Sequence, residues 1–234
     1  RHLAVLPLSL LLENSAGIHA PLLLGAEICV AGLQTLGWRG MAGFDPVALQ
    51  QTVAASGANS LIVVPELLKM WSTHLAASGQ AAAGDLRHVA VGGARVAPAL
   101  LARARAVGLP AYQGYGLTEC GSVLSLNRPG DDGEGVGRPL PHVHVRIADG
   151  EVLVATRAFL GYVGDRLTPP DTVPALSEFA TGDLGRLDDR GHLHLEGRRK
   201  NLLITSFGRN VAPEWLESLL LAEPAIAQAV VFGD

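Results

Sequence analysis

Lysine and cysteine are scarce in these 234 residues, and each shortage removes a class of function. Cys29 and Cys120 stand apart, with no metal-ligand spacing and too few partners for a disulfide framework, so a reducing, cytoplasmic setting is the simpler expectation. The lysines are Lys69 and Lys200. Together with arginine they make 18 basic residues against 22 acidic ones, scattered along the chain, for a net charge of −4. That balance offers no basic stripe for nucleic acid and no polybasic tail for a membrane surface. Also missing is an apolar run of the roughly 18–20 residues that a membrane-spanning helix needs. Arg1-His2 followed by Leu3 to Leu12 mimics a short secretory signal, but Glu13-Asn14 interrupt it and no small-x-small cleavage pattern follows. A piece of a longer chain accounts better for a start without Met. No internal repeat and no low-complexity linker is present. What is plentiful is apolar side chain: hydrophobic residues make 48% of the chain and charged ones 17%, enough to build a folded interior in one large domain or two modest ones.

The first half alternates strand-like and helix-like stretches. Ala26 to Val30 reads as a short buried strand. Asp45-Pro46 reads as an N-cap followed by Pro at the first helical position, opening a helix that runs to about Ser56 and stops at Gly57. Leu61 to Val64 is a β-branched run, and Pro65 opens a second helix through about Leu75. Leu86 to Val91 is another strand, ending at Gly92-Gly93. Pro98 to Val107 is a third helix, and Leu109 to Gln113 a strand leading into Tyr115. Strands alternating with helices of this length imply a parallel sheet, whose ligands bind beyond the carboxyl ends of the strands. After residue 120 the segments become short and alternating: His142 to Ile147, Glu151 to Ala155, Leu184 to Leu187 and His192 to Glu196. Asp188-Asp189-Arg190-Gly191 is a hairpin turn between the last two. These segments form a small antiparallel sheet or partial barrel. Past Gly197 come a strand (Leu202 to Ile204), a turn at Gly208, a helix from about Pro213 to Leu221 and a closing strand, Ala227 to Phe232. The fold class is therefore α/β, in three parts: 1–120, 121–199 and 200–234.

Several polar groups stand at the edges of apolar segments. Tyr115 has a flat face for a purine, Thr118 a hydroxyl for a phosphate oxygen, and Glu119 a hard oxygen suited to Mg²⁺; Gly114 and Gly116 let backbone approach closely. An ordinary turn with a surface Glu explains them equally well. Asp183, in Thr181-Gly182-Asp183, has lone pairs enough to accept both hydroxyls of a ribose, or is a turn aspartate. Arg198 lies fifteen residues later, where the hairpin brings its guanidinium back beside Asp183, or it forms a surface ion pair. Gly92-Gly93-Ala94 makes a smooth wall after a parallel strand. His142, His144, His192 and His194 alternate, but no third ligand for a metal is evident.

The order of these blocks resembles the adenylate-forming superfamily of acyl-CoA synthetases, luciferases and peptide-synthetase adenylation domains. The carriers are Gln113 to Glu119, Gly150 to Val154 with Gly161-Tyr162, Thr181-Gly182-Asp183, Gly197 to Asn201, and Gly208 to Glu217. Leu6-Pro7-Leu8-Ser9 with Glu13 resembles a block of the long-chain fatty acyl-CoA synthetase branch, although Leu10 stands where many relatives carry His. The resemblance implies that Gly92, Gly93, Ala94, Tyr115 and Gly116 wall the adenine and acyl groups. It further implies that Thr118 touches the α-phosphate, Glu119 binds Mg²⁺, Asp183 and Arg198 hold the ribose, and Lys200 is an inter-domain hinge. The implied substrates are ATP, an apolar carboxylic acid and coenzyme A. The family's glycine- and Ser/Thr-rich phosphate loop and its late catalytic lysine have no counterpart here, so the resemblance implies part of such an enzyme, inactive alone. A carrier-protein or other acceptor in place of coenzyme A, or a non-catalytic binding module, are the alternatives. Self-association through exposed apolar surface is expected of such a part.

Overall fold

The computed structural model describes residues 1–40, 43–131, 135–156, 159, 162, 177–204 and 209–233. In the first half, five strands pair in parallel in the order β2-β1-β3-β4-β5: β1 (His2–Ala4), β2 (Ile28–Val30), β3 (Ser60–Val63), β4 (His88–Val91) and β5 (Ala111–Leu117). Between β1 and β2 run a π-helical turn, Glu13–His19, and the short α1 (Ala20–Leu23). The later crossovers carry α2 (Pro46–Ser56), α3 (Pro65–Ser78) and α4 (Pro98–Ala106). Local chemistry sets these helices. The Asp45 carboxylate accepts from the amides of Val47 and Ala48, Pro46 occupies the first turn, and Gly57 closes α2 in the left-handed conformation at φ 60°. Leu3, Leu61, Val63, Leu68, Trp71, Leu75 and Val89 fill the core at 1% exposure or less. Each such burial is worth about 1.5–3 kcal/mol. The indole of Trp71 satisfies its N–H on Gln50 Oε1 at 2.8 Å.

Beyond β5 the sheet changes sense. β6 (Ser122–Leu126) pairs antiparallel with β5, and β7 (Arg138–Pro139) pairs antiparallel with β6. A second sheet, entirely antiparallel, has the order β11-β10-β9-β8: β8 (His144–Ala148), β9 (Glu151–Thr156), β10 (Ser177–Leu187) and β11 (Leu193–Arg198). Leu124, Val136, Val152, Val154 and Leu193 form its core. The α/β architecture expected from the alternation is the one observed. The hairpin turn is also observed: Asp188 N donates to His192 O, and Gly191 N to Asp188 O.

Three expectations need correction. The strand expected to be buried at Ala26 to Val30 is the outermost of its sheet, and Val30 is 62% exposed. The strand expected at Leu184 to Leu187 starts earlier, at Ser177, and contains Thr181-Gly182-Asp183 within it. Ala227 to Phe232 forms no strand among the described residues, and Phe232 is 86% exposed. An apolar run without a neighbour to pair its amides has no reason to become one. Gly208 and Gly161 lie outside the described residues.

The chain after Lys200 forms β12 (Leu203–Ile204), β13 (Asn210–Val211) and α5 (Pro213–Leu221). It docks against the first half through two cations: Arg103 Nη2 on α4 donates to Ala222 O at 2.8 Å, and Lys69 Nζ on α3 to Ile226 O at 2.5 Å. Burial, and then the charge of Arg103, hold the Lys69 ammonium below its usual range. No helix among the described residues is long and apolar enough to cross a membrane.

Candidate functional site

Two clefts meet at Leu117, near the carboxyl ends of the parallel strands. The first, of about 260 Å³, has a mainly apolar lining: Ile62 and Ala90 on the strands, Gly92 and Gly93 after β4, Leu12 and Ala16 from the π-turn side. Tyr115, Gly116 and Thr118 complete it. The second, of about 350 Å³, is polar, with Glu119, Glu151, Thr181, Gly182, Arg198, Arg199 and Lys200 around it.

The junction is built by an irregularity in β10. Pairing with β9 shifts register between Ala180 and Leu184, and Gly182 takes φ 73°, a conformation that favours glycine. Thr181 Oγ1 donates to Val152 O at 2.8 Å and accepts from Asp183 N at 3.0 Å, while Gly182 N donates to Glu151 Oε1 at 2.9 Å. The bulge thereby holds Asp183, 6% exposed, opposite two donors. The Tyr115 hydroxyl donates to Asp183 Oδ2 at 2.5 Å, and Arg198 Nε lies 2.9 Å from Asp183 Oδ1. Asp183 and Arg198 are register partners across β10 and β11, so the hairpin returns Arg198 to Asp183 as its sequence spacing anticipates. Burial pushes the Asp183 carboxyl up, against the opposing pull of the Tyr115 hydroxyl and Arg198. Burial, and then the adjacent carboxylate, push the Tyr115 phenol far up, so it stays a donor at any ordinary pH. A carboxylate has about four lone-pair sites, and these two donors leave capacity for more.

The structure thus joins Tyr115, Asp183 and Arg198 directly. Glu119 lies at the polar cleft, its Oε1 accepting from Tyr162 Oη at 3.0 Å. Lys200 lies there too, in the short turn that follows β11. Thr118 is exposed at the rim of the apolar cleft. Gly92 and Gly93 line that cleft, whereas Ala94, which is exposed, is outside its lining. The glycines of the Tyr115 motif serve the strand pair itself: a Cβ on Gly116 would strike the Ser122 carbonyl, and one on Gly114 would press on Leu126 and Ser125 O. Tyr115 accordingly sits in a strand, not in a turn.

Sequence reasoning missed Glu151 and Arg199. Glu151 pairs with Arg199 at 3.2 Å while also holding Gly182 N. Its signal was its place opposite a bulge, which no local pattern shows. Of the alternating histidines, His192 and His194 serve the hairpin. His192, 1% exposed, has Nε2 3.1 Å from Asp131 Oδ1 and Nδ1 3.4 Å from Asp188 Oδ2, and His194 Nε2 lies 3.0 Å from Asp188 Oδ2. No group of three or more His, Cys, Asp or Glu side chains able to hold a metal ion occurs among the described residues. Glu119 can still take one position on a Mg²⁺ ion whose other ligands are phosphate oxygens and water, which is how that ion is usually held. The Arg198-Arg199-Lys200 run gives the same cleft the positive charge that phosphates require.

Residues 1–158 match the family described as AMP-binding enzyme. The chain is 41% identical over 155 residues to the long-chain-fatty-acid–CoA ligase FadD15 of Mycobacterium bovis, which covers 64% of this chain and 26% of that protein. It superposes with a TM-score of 0.74 and 25% identity on the o-succinylbenzoate CoA synthetase MenE of Bacillus subtilis in complex with the acyl-adenylate intermediate OSB-AMP, over 100% of this chain and 48% of that one. The amide bond synthetase McbA of Marinactinospora thermotolerans gives 0.73 and 26%, over 97% and 47%. The chain therefore spans about a quarter of the length of the first curated relative and about half of the solved structures it matches.

Proposed function

Because the chain belongs to the AMP-binding enzyme family, we propose that it supplies the ribose, α-phosphate and acyl-binding surfaces of an ATP-dependent acyl-CoA ligase acting on an apolar carboxylic acid. The observation that carries this reading is the convergence of Tyr115, Asp183 and Arg198 where an apolar cleft meets a polar one. The acyl group lies in the apolar cleft along Gly92 and Gly93, and the nucleotide lies toward Arg198. Asp183 accepts from the ribose hydroxyls, Thr118 contacts the α-phosphate, and Glu119 holds Mg²⁺. The acid's carboxylate attacks the α-phosphorus of ATP, releasing pyrophosphate and leaving an acyl-adenylate; the thiol of coenzyme A then takes the acyl group and releases AMP. A phosphoryl centre of this kind needs positioning and charge neutralisation more than proton transfer, and the polar cleft offers cations and a carboxylate for the metal. Lys200 is the hinge between parts 1–120 and 121–199 on one side and 200–234 on the other.

A second reading differs in the acceptor: likeness to an amide bond synthetase favours an amine in place of the coenzyme A thiol. Calorimetric titration of this chain with a non-hydrolysable acyl sulfamoyl-adenosine, with Asp183→Ala as control, tests the common core of both. Binding that falls at least about tenfold in the variant is expected. A folded chain that binds nothing would leave the non-catalytic interaction module as the better reading. Supplying the whole protein with either coenzyme A or an amine, and following AMP release, separates the two acceptors.

A further inference from the structure

We infer that Glu13 is a positioning residue for the wall of the apolar cleft, an inference that rests on reading that cleft as the seat of the acyl group. Glu13 is the first residue of the π-helical turn and has no exposed surface at all. It is not in the lining of either cleft, yet Leu11, Leu12 and Ala16, its neighbours on both sides, line the apolar one. A buried carboxylate is tolerated only when its lone pairs are used. Those of Glu13 are: Oε2 accepts from Leu6 N at 2.9 Å, and Oε1 lies 3.4 Å from His2 Nε2. His2 in turn has Nδ1 3.0 Å from Ser60 Oγ, which ties the group to β1 and β3. Gly17 makes the room, since a Cβ there would collide with the Glu13 carboxyl and press on His2 Nε2.

The geometry assigns a task to this bond. Leu6 is the last buried residue after β1, and Glu13 opens the helical segment that follows. Joining them closes the loop from Pro7 to Leu12, in which Leu8, Leu10 and Leu11 are 46%, 45% and 37% exposed and Leu12 packs against the core. Leu12 packs against Gly92, its Cδ2 3.4 Å from where a Cβ on Gly92 would be, and the two side by side line the cleft. The position of this stretch of wall is therefore set by where the loop ends. The carboxylate fixes that end, at a cleft whose lining includes neither Asp183 nor Arg198. Loss of Glu13 is then expected to blur the acyl wall and leave the nucleotide contacts unchanged.

The test separates these two effects. Dissociation constants for AMP and for octanoyl sulfamoyl-adenosine are measured by calorimetry for the chain, for Glu13→Ala, for Glu13→Gln and for Leu12→Ala. The ratio of the two constants is the gain contributed by the acyl group. In Glu13→Ala that gain is expected to drop about tenfold while AMP affinity stays within about twofold. Glu13→Gln, whose amide oxygen still accepts from Leu6 N, is expected to keep most of the gain. An unchanged ratio in Glu13→Ala, or a parallel loss of AMP affinity, overturns the inference. Should Glu13→Ala fail to unfold cooperatively, the other two variants decide: Gln must retain the gain and Leu12→Ala must lose it. A chain that binds AMP but gains nothing from the octanoyl group removes the acyl cleft, and the inference with it. A chain that binds neither removes the functional reading itself.

Discussion

Asp183 shows how much a single side chain depends on its immediate donors. Its carboxylate is buried, and burial alone raises its proton affinity; the Tyr115 hydroxyl and Arg198 pull the other way. Tyr115→Phe removes one of those donors and leaves Asp183 Oδ2 without its partner. A loss of about 1–3 kcal/mol in denaturant unfolding is expected, the cost of an unmet buried acceptor. The Asp183 titration, followed by carboxyl NMR, should also move further upward. A folded pKa raised above the unfolded one means that the native state holds more protons through that interval, so the Asp183 contribution weakens stability as pH rises through it. An Asp183 titration unmoved by the loss of the hydroxyl would contradict the hydrogen bond. The pairing of Asp183 with Arg198 was legible in the sequence, because the hairpin turn at Asp188 to Gly191 fixes which residue returns beside which; the bond from the Tyr115 hydroxyl to Asp183 was not, since the sequence offered only the ring face. Glu13 as a structural anchor was not legible: nothing in an apolar run signals that one carboxylate will fold inward onto an amide seven residues back.

Elements differ in how local their causes are. α2 was readable to its last residue, since its cap, its proline and its terminal glycine are neighbours in sequence. The π-turn at Glu13–His19 was not, because it has no side-chain cap and its cause is tertiary. The bulge in β10 escaped for a similar reason, as Gly182 looks like a turn glycine until β9 is laid beside it. Close approach of β5 and β6 gives a sharp prediction: in Gly116→Ala the new methyl meets the Ser122 carbonyl, and strand separation costing on the order of 1–3 kcal/mol follows. A thermal midpoint equal to that of the parent would refute it. The hairpin between β10 and β11 carries a pH dependence of its own. The His194 hydrogen bond first, then the His192 amide, hold the Asp188 carboxyl well below the usual carboxylate range. The unfolded chain therefore takes up a proton near pH 3.9 that the folded hairpin refuses. The Asp188 contribution is complete above that pH and lost as pH falls below it. Unfolding midpoints recorded from pH 5 to pH 2 should show a shallower decline in Asp188→Asn than in the parent chain.

At the scale of the whole molecule, the side of β2 that pairs with no other described strand and the leucines before it stand out. Leu23 and Leu24 are 88% and 85% exposed, and Val30 on the edge strand is 62% exposed. Apolar surface next to an open strand edge favours self-association. Sedimentation velocity is expected to show concentration-dependent species for the chain, and Leu23→Lys with Leu24→Lys to return it toward a monomer. A parent that sediments as a monomer at every concentration would refute this. The change from parallel to antiparallel pairing was visible in the change of segment length and texture after residue 120, but not that β6 and β7 continue the first sheet before the second begins. The failure of Ala227 to Phe232 to form a strand was not, since strand formation is decided by a partner and not by the run itself.

The docking of the segment after Lys200 has an uneven quality. Arg103 and Lys69 donate to the main-chain carbonyls of Ala222 and Ile226, which every residue type presents alike. One side of this contact therefore depends on two particular side chains, and the other on backbone path and the small buried Ala222. Substitution at the exposed residues 223–225 leaves the acceptors where they are, provided the chain keeps its course, whereas nothing replaces a lost donor. Tolerance to mutation is thus distributed lopsidedly across a single joint: permissive in the segment after Lys200, exacting in the helices that receive it.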